Sequence, residues 1–152
     1  MEQTLIILKP DTLQRNLVGE IISRFERKGL KLVGCKMMRL DDALLAEHYA
    51  HHKDKPFFPA IKEFMKHSPV IVLALEGTDA VKGVRLIAGA TKGVEADAGT
   101  IRGDLAMSNQ NLLHASDSRE AAEQEIARFF KKDELFEYKK LDDCMVYEEV
   151  AF

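Results

Sequence analysis

The chain has 152 residues, of which 46% are apolar and 31% charged, and its formal net charge is −3. This length and composition are typical of a soluble globular domain and exclude a disordered chain. The small negative charge excludes a general attraction to nucleic acid or an anionic membrane, so an anionic ligand would have to be bound by locally placed cations. We therefore predict a single domain over residues 1–152, with its ligand in a pocket.

The two cysteines and the first residues indicate where the protein works. Cys35 and Cys144 form no CxxC pair, which is typical of a reducing compartment, and Cys35 is expected to behave as a small buried hydrophobe. The apolar stretch over residues 5–8 is too short for a signal sequence or a membrane span. We predict a cytoplasmic protein.

Apolar spacing and turn residues predict the following elements in chain order. They are strand 4–8, helix 18–28, strand 31–40, helices 42–52 and 60–66, strand 70–75, helix 79–87, loop 89–103, strand 111–114 and helix 121–130. We expect Asp79 to cap its helix, and Asp117 with Glu120 to form a capping box before the last helix. The order is typical of an α+β sandwich, with an antiparallel sheet and helices on one face.

His114 is the first candidate for chemistry. It stands in the segment NLLHASDS, immediately before small polar residues that open a helix. The free N–H groups and dipole of a helix start favour phosphate, and an imidazole beside them could act as a nucleophile toward phosphorus. For an isolated histidine, a hydrogen-bonded position at a strand end is the commoner case, so its neighbours have to decide.

Three cations widely separated in sequence are candidates for a phosphate site: Lys9, Arg85 and Arg102. Phosphoryl transfer requires several positive groups around the migrating phosphoryl. Each cation alone is more often a solvated surface charge, and the sequence leaves their convergence open. Residues 89–93 lack the Gly-Lys-Ser/Thr of a Walker A loop, which excludes a P-loop enzyme.

A second histidine group lies in residues 47–52. His48 is one helical turn from His51 and His52, a workable spacing for two zinc ligands. The HExxH pattern is absent and no third ligand is evident, so a zinc-dependent hydrolase is a distant alternative. Phe57 follows Pro56 and would ordinarily be a core residue, although its ring could equally stack on a nucleobase.

Five segments, in the same order along the chain, resemble the nucleoside diphosphate kinase family: TLIILKPD, LVGEIISRFERKGLKLVG, EHYAHHKDKPFF, AGTIRGD and NLLHASDS. The resemblance implies a ferredoxin-like βαββαβ core with an extra helical hairpin and a long loop at the nucleotide site. It also implies a kinase that moves the γ-phosphoryl of a nucleoside triphosphate to a nucleoside diphosphate in two steps, through phosphorylated His114. A non-catalytic nucleotide- or nucleic-acid-binding module on the same fold is the alternative. The joint presence of Lys9, Arg102, His114 and Glu125 favours the enzyme.

The resemblance implies a role for each matching residue. His114 would be the nucleophile, Glu125 would hydrogen-bond one of its nitrogens, Ser116 would lie beside that glutamate, and Tyr49 would line the pocket. Lys9 is expected to contact both the ribose and the transferring phosphate, and Asn111 the ribose hydroxyl. The other expected nucleotide-binding residues are Phe57 at the base, and Arg85, Thr91, Arg102 and His52 at the phosphates.

The family also implies a metal and an assembly. Mg²⁺ would arrive on the nucleotide phosphates with few or no protein ligands. Family members are typically tetramers or hexamers, so we expect a homo-oligomer, with no membrane partner and no need for nucleic acid.

The chain departs from the family pattern at three places. Ala115 stands where glycine is usual, the interval from Arg102 to His114 is one residue shorter, and residues 92–94 read Lys-Gly-Val where Asn-Pro is common. We expect Ala115 to have an ordinary negative φ and residues 106–110 to absorb the missing residue. None of the three departures changes an expected chemical group.

Overall fold

Four antiparallel strands form one sheet in a computed structural model that describes residues 1–151. The strands are β1 (Glu2–Leu8), β2 (Lys31–Met38), β3 (Val70–Gly77) and β4 (Leu113–Ala115). Their order across the sheet is β2-β3-β1-β4, and each neighbouring pair is antiparallel. This arrangement confirms the predicted α+β fold with a ferredoxin-like core.

Helices and short 3-10 turns connect the strands, and none of the described helices is both long and apolar enough to cross a membrane. The helices are α1 (Pro10–Gln14), α2 (Val18–Arg27), α3 (Asp42–His48), α4 (Phe58–Lys66), α5 (Ala80–Ala88), α6 (Ile101–Leu105), α7 (Arg119–Phe129) and α8 (Asp143–Val146). The 3-10 turns are Ala50–His52, Gly93–Glu95 and Lys132–Glu134. The sequence prediction did not include α1, α6, α8 or these turns.

The sheet has a hydrophobic core on each face. In β1, Ile6 and Leu8 pack with residues of α2 and α5, whereas Leu5 and Ile7 pack with residues of α3, α4 and α7. All four side chains are fully buried, as a continuous apolar run rather than an alternating one indicates. The prediction that the helices lie on one face of the sheet therefore holds only for the crossover helices α2 and α5. The additional helices cover the other face.

Three local predictions were wrong: a helix cap, a helix end and the burial of a residue in β2. Asp79 precedes α5 with φ of 50° and its side chain caps nothing; the Glu2 carboxylate accepts from the Val81 amide instead, at 2.9 Å. The predicted helix 42–52 ends at His48 because the chain tightens into the 3-10 turn. Cys35 is exposed rather than buried, although its neighbour Val33 in β2 is part of the core.

The start of α7 positions the site and also differs from its prediction. Ser118 is the N-cap, and its side chain accepts from the Ala121 amide at 3.1 Å. The cap therefore lies one residue after the predicted Asp117. The predicted capping box does not form, because no described glutamate side chain bonds back to the N-cap amide. Helix α7 then crosses β1 and directs Glu125 toward β4.

Candidate active site

His114 lies in β4 opposite Ile7 of the central strand, and its side chain is partly exposed. Its Nε2 lies 3.0 Å from both carboxylate oxygens of Glu125. An ionised carboxylate can only accept hydrogen bonds, so Nε2 carries the proton and donates it. The lone pair of the ring is consequently on Nδ1, which is the nitrogen able to attack an electrophile.

Ser116 completes the arrangement around Glu125. The Ser116 hydroxyl donates to Glu125 Oε2 at 2.6 Å and accepts from the backbone amide of Leu5 at 3.2 Å, so β1 fixes its position. Burial raises the pKa of Glu125, but the hydrogen bonds from His114 and Ser116 outweigh it and bring the pKa below its usual value. Glu125 is therefore ionised at neutral pH and can hold one tautomer of His114.

Two aromatic side chains of the α3 end line the same pocket. The ring of His48 lies 4.6 Å from that of His114, nearly perpendicular to it, and Tyr49 lies 4.8 Å from His48. Burial, with a further contribution from Glu125, raises the pKa of Tyr49 to about 12. Tyr49 therefore presents a neutral hydroxyl that can donate a hydrogen bond.

A second group brings together three distant segments of the chain. Lys9 Nζ donates to Asn111 Oδ1 at 2.7 Å, and Asn111 Nδ2 donates to the carbonyl of Thr91 at 2.6 Å. Arg102 Nε donates to the backbone carbonyl of Asn111 at 3.2 Å. Four of the predicted nucleotide-binding residues are thus joined in one hydrogen-bonded group.

Arg102 is buried and also supports the backbone. Its two terminal nitrogens donate to the carbonyls of Gly89 at 3.0 Å and Leu113 at 2.6 Å. Together with Nε, this uses three of the five N–H groups that a guanidinium carries. Burial, with the charge of Arg85 contributing, lowers the pKa of Arg102 to about 10, so the group remains positive at neutral pH.

Lys9 and Arg102 repel each other in this pocket. Burial lowers the pKa of Lys9 to about 8, and the charge of Arg102 adds to the effect while Asp11 opposes it. Two partly desolvated cations that lack a full countercharge form a site to which a polyanion can bind.

A strained three-residue turn precedes His114, and the sequence analysis did not identify it. Leu112 has φ of 72°, and the amide of Leu113 donates to the carbonyl of Asn111 at 2.8 Å, as in a γ-turn. Asp11 accepts from the Leu112 amide at 3.0 Å, and the Lys9 amide donates to the Leu112 carbonyl at 2.8 Å. Strain of this kind is kept only where the surroundings hold it, and it occurs frequently at functional sites.

The remaining predicted residues lie at the edge of the site. Arg85 is exposed and pairs with Asp117, with 2.6 Å between Nη1 and Oδ1. Phe57 is 47% exposed, and its ring lies 5.2 Å from that of His52. A large exposed ring is free to stack on a ligand, whereas a core residue would be buried.

The predicted zinc alternative is not supported by the positions of the histidines. His51 and His52 have ring centroids 3.9 Å apart, but neither joins His48 in a group of potential metal ligands among residues 1–151. His48 groups instead with His114 and Glu125.

The antiparallel sheet, and the histidine oriented by a carboxylate near a group of cations, define a ferredoxin-like α+β protein with a cationic site beside an available imidazole nitrogen. The sequence matches the family described as Nucleoside diphosphate kinase over residues 2–135. This chain belongs to the nucleoside diphosphate kinase family.

Individual relatives agree with this assignment over nearly the whole chain. The chain is 59% identical to a nucleoside diphosphate kinase of Parabacteroides distasonis, with 100% of both chains covered. It is 52% identical to one of Pyrococcus horikoshii, with 93% of each covered. The structure of a halophilic nucleoside diphosphate kinase from Halobacterium salinarum in complex with CDP has a TM-score of 0.93 and 46% identity, covering 96% of this chain and 98% of that one.

Proposed function

We propose that this chain transfers the γ-phosphoryl group of a nucleoside triphosphate to a nucleoside diphosphate, with His114 as the covalent carrier. The observation that supports this most directly is the bond between His114 Nε2 and Glu125, which leaves the Nδ1 lone pair available. In the first step Nδ1 attacks the γ-phosphorus, the bond from phosphorus to the bridging oxygen breaks, and the diphosphate leaves. In the second step an oxygen of another diphosphate attacks the same phosphorus, the N–P bond breaks, and His114 regains its lone pair.

Glu125 and the cations would stabilise the charges that develop during transfer. Phosphorylation of Nδ1 makes the imidazole positive, and the adjacent carboxylate of Glu125 favours that charge. Lys9 and Arg102 would bind the phosphate oxygens, with Thr91 donating from the loop. Arg85 would join them by exchanging Asp117 for a phosphate, and Tyr49 would donate its hydroxyl to the phosphoryl group.

The nucleoside would be bound mainly by stacking. Phe57 offers an exposed ring face, which suits any base because every base has a π-face. Asn111 and Lys9 would bind the ribose, and His52, beside Phe57, would reach the phosphates. The base would thus be held by stacking alone, and all polar contacts would go to the ribose and the phosphates. This division supports a kinase with broad base tolerance.

Mg²⁺ would be held by the nucleotide rather than by protein carboxylates. Each acidic group around the pocket already has a partner: Asp11 accepts from the Leu112 amide through Oδ2, Asp117 from Arg85, and Glu125 from His114 and Ser116. The buried Oδ1 of Asp11 has no hydrogen-bond partner among the described residues, but one carboxylate oxygen near Lys9 offers a hard cation too few ligands, whereas phosphate oxygens suit it. When bound there, the metal would neutralise phosphate charge during transfer.

The proposal also covers the domain organisation, the assembly and the cellular location of the protein. The continuous sheet and its two cores support a single domain over residues 1–152, of which Phe152 lies outside the described residues. The exposed edge strand β2, with Met37 62% exposed, supports association of identical chains, and the family resemblance suggests a tetramer or hexamer. Two free cysteines support a cytoplasmic location.

Labelling with γ-labelled ATP tests the reaction. The wild-type protein should acquire acid-labile, base-stable label, and unlabelled diphosphate should remove it as triphosphate. His114→Ala should acquire none while still binding nucleotide in calorimetry. Label on His114→Ala would contradict the nucleophile assignment. A wild-type protein that binds nucleotide but acquires no label would instead be the non-catalytic binding module.

A further inference from the structure

The strained turn at Leu112 is held by the segment that follows β1. Leu112 has φ of 72° and is fully buried, although a bulky residue rarely adopts a positive φ. Its amide donates to Asp11 Oδ2 at 3.0 Å. Its carbonyl accepts from the Lys9 amide and from the Thr12 hydroxyl. Hydrogen bonds to both backbone groups therefore keep Leu112 in a conformation that its side chain disfavours.

The sheet brings this segment to the turn from a distant part of the chain. Strands β1 and β4 are antiparallel, and Leu8 at the end of β1 pairs with Leu113 at the start of β4. The residues after β1 therefore meet the residues before β4, although Asp11 and its partner amide are 101 residues apart. Pro10, the first residue of α1, has a fixed φ, so the carboxylate of Asp11 extends from a rigid piece of backbone.

The turn lies between two residues that the proposed reaction uses. Asn111, which would bind the ribose, directly precedes Leu112, and His114 follows two residues later. The Asn111 carbonyl accepts from Arg102 Nε at 3.2 Å and from the Leu113 amide at 2.8 Å, so the turn is hydrogen-bonded on both sides. A change of φ at Leu112 rotates one side of the turn relative to the other. It would therefore displace the ribose site relative to the nucleophile.

Stability alone does not account for a carboxylate at position 11. Oδ1 of Asp11 is buried and has no hydrogen-bond partner among the described residues, and an unpaired buried oxygen lowers stability. A charged acceptor does bind the Leu112 amide more strongly than a neutral one would. Its charge also acts on the phosphate site: burial lowers the pKa of Lys9 to about 8 and Arg102 lowers it further, whereas Asp11 opposes both.

We infer that Asp11 is a positioning residue for phosphorylation of His114, and that it acts by holding Leu112 at positive φ. In this conformation Asn111 and His114 can reach the ribose and the γ-phosphorus of one nucleotide. This inference rests on the proposed function. Without the acceptor the buried Leu112 amide is unpaired, and the turn is free to relax toward a negative φ. A displacement of about 1 Å between reacting groups is sufficient to lower a rate by about a hundredfold.

Single-turnover phosphorylation of His114 by saturating Mg-ATP tests the inference. Asp11→Asn keeps an oxygen that can accept from the Leu112 amide, whereas Asp11→Ala has none. The assay is run at about pH 6, below the pKa of Lys9, so that this lysine is charged. Asp11→Asn should react within about threefold of the wild-type rate, and Asp11→Ala about 10- to 100-fold more slowly.

A second variant and a matched control separate positioning from lost stability. Asp11→Ser should be as slow as Asp11→Ala, because its hydroxyl oxygen ends one bond short of the carboxylate oxygens. Glu2→Ala is the control, since Glu2 Oε2 also accepts from a backbone amide, that of Val81 at the start of α5, at 2.9 Å. Thermal melting should show lower stability for Glu2→Ala and Asp11→Ala alike, whereas the saturated phosphorylation rate should fall only for Asp11→Ala.

Hydrogen exchange reports the turn itself. The Leu112 amide should stay protected in wild type and Asp11→Asn and lose protection in Asp11→Ala. Wild-type rates at saturating nucleotide for Asp11→Ala and Asp11→Ser would overturn the inference and make Asp11 a purely structural residue. An Asp11→Asn protein as slow as Asp11→Ala would also overturn it, because the charge and not the acceptor would then matter. A wild-type protein that is never phosphorylated would overturn the proposed function itself.

Discussion

The backbone amide of Gly93 donates to the carbonyl of Ser108 at 3.2 Å. Gly93 belongs to the loop that departs from the family pattern, and Ser108 belongs to the shortened interval before His114. A Cβ on Gly93 would lie 2.2 Å from the carbonyl oxygen of Ala106, so only glycine allows this approach. Two of the three departures are therefore in contact with each other.

Replacing Gly93 by alanine should reduce the stability of this contact. The added methyl group meets backbone that has no rotamer to adjust, so we expect a loss of about 1–3 kcal/mol in the free energy of unfolding, measured in urea. Gly83→Ala is the matched control, because Gly83 lies within α5 and a Cβ there meets no atom within 4 Å. That control should be stabilised by about 0.5–1 kcal/mol. Equal stability of Gly93→Ala and wild type would show that this close approach does not require glycine.

Phe57→Ala should weaken the binding of ATP, GTP and CTP by similar amounts, of about 1–3 kcal/mol, since stacking does not discriminate between bases. Isothermal titration with each nucleotide measures this. Phe136→Ala removes a ring of comparable exposure, beside β2 on the far edge of the sheet from β4, and should leave all three affinities unchanged. A loss confined to purines would argue against a nonspecific platform.

Nucleotide affinity should fall as the pH rises above about 8, where the pKa of Lys9 lies in the free protein. Below that pH Lys9 is charged and attracts phosphate; above it, binding has to restore a proton, so the dissociation constant rises by up to about tenfold per pH unit. Calorimetry across this range measures the slope. Lys9→Met should bind more weakly at every pH and lose the slope, and a flat wild-type profile would contradict the role of Lys9.

Folding stability without nucleotide should show the opposite sign. The folded pKa of Lys9, about 8, lies below the value of 10.5 expected for an unperturbed lysine. The unfolded chain therefore binds more protons between these values, and the contribution of Lys9 to stability increases with pH through this window. Thermal melting of wild type and Lys9→Met at about pH 8 and at about pH 10 separates this contribution from those of other groups.

Ala115→Gly should slightly destabilise the protein. Ala115 lies in β4, is buried, and is not one of the described non-glycine residues with positive φ, which are Asn16, Asp79 and Leu112. The negative φ expected from the sequence is confirmed, and glycine at such a position costs about 0.5–1 kcal/mol relative to alanine. A gain in melting temperature for Ala115→Gly would show that the family glycine serves a purpose here that alanine does not meet.

The strands and most helices could be predicted because their signals are local. Each signal spans only a few residues. Examples are the apolar run of β1, the helical spacing of Ile21 and Phe25, and the stop at Gly29. Side-chain caps were harder, since Asp79 is replaced in its role by Glu2, which is distant in sequence. Caps supplied by another element leave no local pattern.

The site was predictable by resemblance and not from spacing. His114 and Glu125 lie close in sequence, but Lys9 meets Asn111 across 102 residues, and no periodicity carries such a contact. The strained turn at Leu112 was missed because the groups that hold it, the Asp11 carboxylate and the Lys9 amide, lie about a hundred residues earlier in the chain. The roles of the predicted site residues stay predictions until the variants are measured.

The central position of β1 has a consequence for biosynthesis. Strand β1 is synthesised before the other three strands and pairs with β3 on one side and with β4 on the other. Lys9, directly after β1, can bond only once Asn111, 102 residues later, has been made. Contacts of such long sequence separation form late, because most of the chain has to be available first. A nascent polypeptide that has not yet released β4 therefore lacks the contacts that join Lys9 to Asn111 and place His114 beside β1.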